Sequence, residues 1–172
     1  MSSPDRVPGA GYRLDKVSAL ELVYRVVPPE EVTVDAEQRE TTLYWDWRIT
    51  EDHAFEVFMR GRVAGNSSAF EEVEVSLLGE FSFKPSPSVS LDTFVRVHAP
   101  AILLPYIRET IGSLTGRGPF GAFHFPAINV VELGKSYDFA KSTGAAQLRE
   151  DPALAERLGL SEMMLAISEA QG

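Results

Sequence analysis

Residues 43–83 read LYWDWRITEDHAFEVFMRGRVAGNSSAFEEVEVSLLGEFSF, and the spacing of their apolar side chains decides the fold class. Leu43, Trp45, Trp47 and Ile49 alternate with Tyr44, Asp46, Arg48 and Thr50, the two-residue period of a strand with one buried face. Asp52-His53 reads as a short turn, after which Phe55, Val57 and Met59 repeat the pattern against Glu56, Phe58 and Arg60. Gly65-Asn66-Ser67 reads as a second turn. Beyond it Val73, Val75 and Leu77 oppose Glu72, Glu74 and Ser76, and Gly79 stands as a candidate bulge. Upstream, YRLDKVSALELVYRVV (12–27) adds another strand, with Leu20, Leu22, Tyr24 and Val26 against Glu21 and Arg25, ended by PPEE. Four strands joined by turns predict an antiparallel meander, one face covered and the other open.

Downstream the period changes. Ser90 is placed to cap a helix from Leu91 to Val97, and Pro100 sits near a second helical start. Ile102, Leu103, Tyr106, Ile107, Ile111 and Leu114 then form a wide apolar stripe, stopped by Thr115-Gly116-Arg117-Gly118. Pro105 lies inside that stripe and predicts a kink unless it falls in a first turn. The next stretch, GRGPFGAFHFPAINVVEL (116–133), holds three phenylalanines, two prolines and three glycines, which suits neither a long helix nor a regular strand. Its rings either pack down as a lid or line a surface that a partner fills. Gly134 to Arg149 reads as a polar linker, Asp151 with Pro152 as a helix start, Gly159 as an interruption, and SEMMLAISEA as a helix resuming at Ser161. The expected division is a flexible terminus at 1–11, a domain at 12–133, and a polar linker with C-terminal helices at 134–172.

Composition narrows the function. With 172 residues, 44% hydrophobic and 24% charged, the chain has material for one core. Its net charge is −9, with a pI of about 4.8 and no basic cluster, which argues against nucleic acid or an anionic membrane surface as a partner. The absence of cysteine excludes disulfides and thiolate metal sites. No apolar run approaches bilayer length and the polar start lacks a signal-like core, so the expectation is a soluble cytoplasmic protein without membrane insertion. His53, His98 and His124 are scattered without metal-ligand spacing, and GRGPFG lacks the Lys-Ser/Thr ending of a phosphate loop. Glu71, Glu72 and Glu74 read as the solvated side of a strand and its entry rather than a catalytic carboxylate pair. The chain is expected to be no enzyme and to need no metal or cofactor.

Residues 97–133, VHAPAILLPYIRETIGSLTGRGPFGAFHFPAINVVEL, resemble the hallmark segment of the SecB protein-export chaperone family. Pro100, Ile102, Leu103, Pro105, Tyr106, Arg108, Glu109, Arg117, Gly118, Phe120, Pro126, Ile128 and Asn129 stand in the family's order. The strand layout from Tyr12 to Phe83 also resembles the family's sheet, so the resemblance covers roughly 12–133.

The resemblance implies an α+β subunit, a four-stranded antiparallel sheet with helices on one face, assembled as a dimer of dimers. It implies an ATP-independent chaperone that binds unfolded precursor polypeptides for export. In the family a crossover loop and the strand beneath it form the client groove, so Phe120, Phe123, Phe125 and Ile128 would face client, with Tyr44, Trp45 and Trp47 as its floor. The alternative is that these rings cap the sheet's core, since Trp45 and Trp47 lie on the apolar face of the alternation. Subunit contact would use Val73, Val75 and Leu77, while Ile102 and Tyr106 would anchor the helix on the sheet or on a partner subunit. Glu21 and Glu74 match acidic positions on which SecA docks, although Arg25 stands where an acid is expected and Glu72 where an apolar residue is. The family's second long helix would follow Leu133, where Gly134, Ser136 and KSTGAAQ interrupt it. A SecB-like chaperone serving a non-export partner such as an antitoxin is the runner-up, followed by an adaptor or a small-molecule or lipid binder on the same fold. Because a stable interface buries about 800 Å² per partner, light scattering at micromolar concentration is expected to return a dimer or tetramer, and a monomer refutes the assembly.

Overall fold

The structure, a computed structural model, describes residues 11–26, 39–51, 53–65, 72–84, 89–118 and 121–160. Strands β1 (Tyr12–Arg25), β2 (Arg39–Glu51), β3 (Ala54–Gly65) and β4 (Glu72–Phe83) form one antiparallel sheet in the order β1-β4-β3-β2. The expected meander holds from β2 to β4. Strand β1 does not continue it but lies at the far edge beside β4. The stretch from Val26 to Gln38 is far longer than the about two to five residues of a hairpin loop and carries two prolines, so nothing local forces β1 against β2.

The alternation sends its apolar rows to one face. Trp45, Trp47, Phe55, Val57, Met59, Val73, Val75, Leu77 and Phe81 are all buried there. Val73, Val75 and Leu77, expected at a subunit interface, are thus corrected to the chain's own core, where helices already cover them. Gly79 is not a bulge, since β4 pairs without interruption with Val17 on one side and Val57 on the other. The irregularities fall in β1, between Leu14 and Lys16 and between Ala19 and Glu21. The second of these turns Leu20 out of the row it was expected to share with Leu22, and it lies beside Phe58 and Leu78 on the open face.

The helical layer begins where Ser90 accepts the Thr93 N–H at 3.1 Å and caps α1 (Leu91–Thr93). A π turn, Phe94–His98, leads into α2 (Ala99–Gly116), which runs through Pro105. Phe94 stacks on Phe83 at 4.6 Å and meets Phe81 edge-on at 5.3 Å, so the π turn drives a ring into the sheet's aromatic end. Leu103, Ile107 and Ile111 carry the contact along α2. Two glycines make that contact close: a Cβ on Gly61 would lie 2.5 Å from Ile107 Cγ2, and one on Gly79 would lie 2.8 Å from Leu103 Cδ2.

The stretch expected as a polar linker is instead folded onto the same core. It forms α3 (Val130–Lys135), a 3-10 turn (Phe139–Lys141), α4 (Thr143–Glu150) and α5 (Pro152–Arg157). Each helix starts on a side-chain cap, Asn129, Ser142 or Asp151. Ala145, Leu148, Ala155, Leu158 and Leu160 are buried with Trp47 and Phe139. Gly159 ends this run with φ +69°, as its position in the sequence suggests. The helix expected from Ser161 lies outside the described residues. Overpacking a filled core costs about 1–3 kcal/mol, so Gly61→Val is expected to destabilise the fold by that amount, read as a denaturant-midpoint shift at unchanged slope.

Candidate functional site

Strand β2 is an edge strand, and the C-terminal segment folds along it. Trp45 is buried to 4% exposure, donates its indole N–H to the Val95 carbonyl at 3.1 Å, and is covered by Tyr137, stacked at 5.1 Å with rings 6° from parallel. Arg96 places Tyr137: its guanidinium pairs with Asp92 at 2.6 Å and donates to the carbonyls of Gly134 and Tyr137. Trp47 is equally buried. Its indole N–H donates to Ser142 Oγ at 2.9 Å, Phe139 packs 5.3 Å away, and Gly144 lies so close to the ring that no Cβ fits. The two tryptophans expected as groove floor are therefore corrected to core pillars, because their indoles need buried partners and find them.

Between Leu43–Asp46 and the segment 133–142 lies a cleft of about 300 Å³. Leu43, Tyr44, the edge of Trp45, Leu133 and Tyr137 supply its apolar lining, and Asp46, Asp138 and Lys141 its charged groups. Lys141 pairs with Asp138 at 2.8 Å and, with their hydrogen bond, holds that carboxyl below the usual carboxylate range. Burial pushes the Tyr137 phenol well above its ordinary value of 10, and the Asp46 charge adds to the shift.

The backbone of β2 is the second part of the site. Ile49 donates its N–H to Gln147 Oε1 at 2.8 Å and accepts from Gln147 Nε2 at 3.1 Å, so its peptide groups point away from β3. Trp47 donates its N–H outward to Asp46 Oδ1 at 2.8 Å. By the same two-residue period Leu43 and Trp45 direct their N–H and C=O groups outward along the cleft, where they have no partner among the described residues.

Of the other expected site residues that the structure describes, Tyr44 borders the cleft and the rest are dispersed. Tyr44 is 56% exposed, on the open face beside Phe58 at 6.1 Å. Phe125 is 1% exposed and packs under α2 against Gly61, as the reading of these rings as a cover for the core expects. Phe123 and Ile128 are half-buried against the core, with the Phe123 N–H donating to Thr115 Oγ1 at 2.7 Å. None of these three lines the cleft, and Phe120 lies outside the described residues. On α2, Ile102 is half-buried and Tyr106 is 41% exposed. Glu21 and Glu74 stand on the open face, where Arg60 approaches them at 3.9 Å and 3.3 Å. Arg62 and Arg25 pair with Glu72 at 2.8 Å and 2.9 Å. Each such pair is worth under about 1 kcal/mol, yet together they cancel much of the local negative field.

Asp46, Tyr137, Ser142 and Gln147 escaped the sequence reading. Only Ser142, followed by Thr-Gly-Ala-Ala, carries a local signal, that of a helix cap before small residues that pack closely. Among the described residues no cluster of three His, Cys, Asp or Glu is placed to hold a metal ion, and no helix is long and apolar enough to cross a membrane.

The geometry defines a class: a one-sided α+β sheet with an apolar cleft beside an unpaired strand edge. The family model described as preprotein translocase subunit SecB matches residues 27–138, and the chain belongs to the SecB family. The protein-export protein SecB of Acidithiobacillus ferrooxidans is 39% identical over 70 residues, covering 41% of this chain and 46% of that protein, so this chain spans about half the length of that relative. The protein-export protein SecB of Xanthomonas campestris pv. campestris is 26% identical over 151 residues, covering 85% and 88%. Among solved structures, the Mycobacterium tuberculosis SecB-like chaperone Rv1957, in complex with a ChAD peptide from the HigA1 antitoxin, superposes with a TM-score of 0.51 at 16% identity, over 68% of this chain and 90% of that one. That likeness establishes the shared α+β fold.

Two outcomes follow from the burial. Phe125→Ser is expected to cost about 3–5 kcal/mol as a core truncation, and Tyr106→Ala under about 1 kcal/mol, both read from denaturant midpoints. A phenol whose folded pKa is raised contributes stability that is intact below pH 10 and is lost as pH rises toward the folded value. Alkaline destabilisation is therefore expected to be smaller in Tyr137→Phe than in the parent chain, measured by midpoints above pH 10.

Proposed function

We propose that this chain is an ATP-independent chaperone that holds unfolded polypeptides in extended form in the cleft along β2. The observation that carries the reading is the outward N–H and C=O groups of Leu43 and Trp45, unpaired among the described residues and beside an apolar lining. Backbone pairing at a strand edge accepts any sequence, and the apolar cleft adds affinity without demanding a particular side chain. The net charge of −9 favours clients with basic segments and keeps a loaded complex dispersed. Membership of the SecB family supports protein export as the setting and the cytoplasm as the place. It also supports a dimer of dimers, for which Ile102, Tyr106, the exposed Leu22 of β1 and Val26 just beyond that strand offer apolar surface.

A second reading concerns the partner that receives the client. Glu21 and Glu74 are already paired with Arg60, which weakens them as an acidic docking patch for SecA and favours a partner system other than export. The test of the main reading is suppression of aggregation of an unfolded precursor at stoichiometric subunit ratio. Tyr44→Ser removes exposed cleft surface, with stability expected to stay within about 0.5 kcal/mol, and is expected to weaken holding at least several-fold while the circular-dichroism melt is unchanged. A parent chain that leaves aggregation unaffected overturns the function.

A further inference from the structure

We propose that Gln147 and Asp46 form a built-in stop that limits how far a guest chain can pair along β2, so that the guest occupies Leu43 to Trp45 and ends there. The inference rests on the polypeptide-holding reading above. The Gln147 carboxamide offers one acceptor and one donor to the two backbone groups of Ile49, at 2.8 Å and 3.1 Å, as the peptide group of a neighbouring strand would. It imitates one residue of a fifth strand. One position nearer the cleft, Asp46 Oδ1 takes the Trp47 N–H and also accepts from the Thr143 N–H at 3.1 Å, while the Thr143 hydroxyl donates to Oδ2. These bonds bolt the start of α4 to the edge of β2.

The bolt cannot slide aside easily. Gly144 sits flush on the Trp47 ring, Ser142 holds the indole N–H, and Ala145 and Leu148 are buried behind them. Displacing α4 would expose Trp47 and leave its indole N–H without the Ser142 oxygen. A guest strand running from Leu43 past Trp45 thus meets filled hydrogen-bonding positions at Trp47 and Ile49. An unprotected strand edge invites uncontrolled pairing with other chains, and capping part of it leaves a window of defined length. The family match ends at residue 138, so α4, which supplies the cap, lies beyond it.

Amide exchange resolved by residue tests the stop, using as guest a synthetic peptide that alternates leucine with lysine and is long enough to reach from Leu43 to Ile49. In the parent chain the guest is expected to slow exchange at Leu43 and Trp45 at least about tenfold and leave Ile49 unchanged. Gln147→Met keeps the side chain's length and loses both hydrogen bonds. In this variant Ile49 is expected to exchange about tenfold faster without guest. In the double variant with Asp46→Ala, which also removes the acceptor of the Trp47 and Thr143 bonds, Ile49 is expected to become guest-protected. A guest that protects Ile49 in the parent, or a Gln147→Met/Asp46→Ala footprint that still ends at Trp45, overturns the stop and leaves polypeptide holding in place. A parent chain that neither shows slowed amides nor suppresses precursor aggregation overturns both. Should either variant fail to fold, a length series on the parent decides: affinity is expected to plateau once the peptide spans Leu43 to Trp45, and continued gain with length defeats the proposal.

Discussion

The close seat of α2 on the sheet governs the rest of the architecture. Ile107 and Leu103 enter notches where Gly61 and Gly79 lack side chains, so these α2 side chains rest on the sheet backbone rather than on a layer of Cβ atoms. With α2 fixed there, the rows of β3 and β4 close beneath it and the π turn at its start delivers Phe94 to the aromatic end of the sheet. The other end of the core face is left for different cover. Phe125 takes the position beside Gly61, and α4 with the 3-10 turn takes the strip over β2.

This division explains why aromatic residues of one segment have different fates. Phe125 reaches the notch and is buried, whereas Phe123, two residues earlier, stays at the margin with its N–H held by Thr115. On β2 the same split runs by parity. Trp45 and Trp47 are pillars of the core, while Tyr44, between two inward neighbours, is left to solvent. The cleft is therefore bounded by packed rings and opened by exposed ones, and Arg96 ties the Tyr137 backbone on its far wall to the π turn.

The inward faces were legible because a two-residue period needs no tertiary knowledge: Trp47, Val57, Met59 and Val75 are buried where the alternation puts them. Strand order was not legible, since alternation says which face a strand buries and nothing about its neighbour. Hence the crossing of β1 to β4 was missed. The caps at Ser90, Asp151 and Gly159 were readable from local chemistry. The segment from Gly134 to Arg149 was misread because its anchors are polar. Ser142, Thr143 and Gln147 hold it through bonds to Trp47, Asp46 and Ile49, all more than ninety residues away in sequence, and periodicity cannot register such bonds. Of the cleft, the strand that carries Tyr44 and Trp45 was legible from its alternation, and the facing wall was not.

The placement of the tryptophans has an optical consequence. The chain has two, both in β2 and two residues apart. One indole lies against Tyr137 at the cleft wall and the other beneath α4, so tryptophan emission comes wholly from the strand whose two halves do different things. Replacing either indole by phenylalanine would turn the remaining one into a native reporter, Trp45 for events in the cleft and Trp47 for the seating of the C-terminal segment, without any added label.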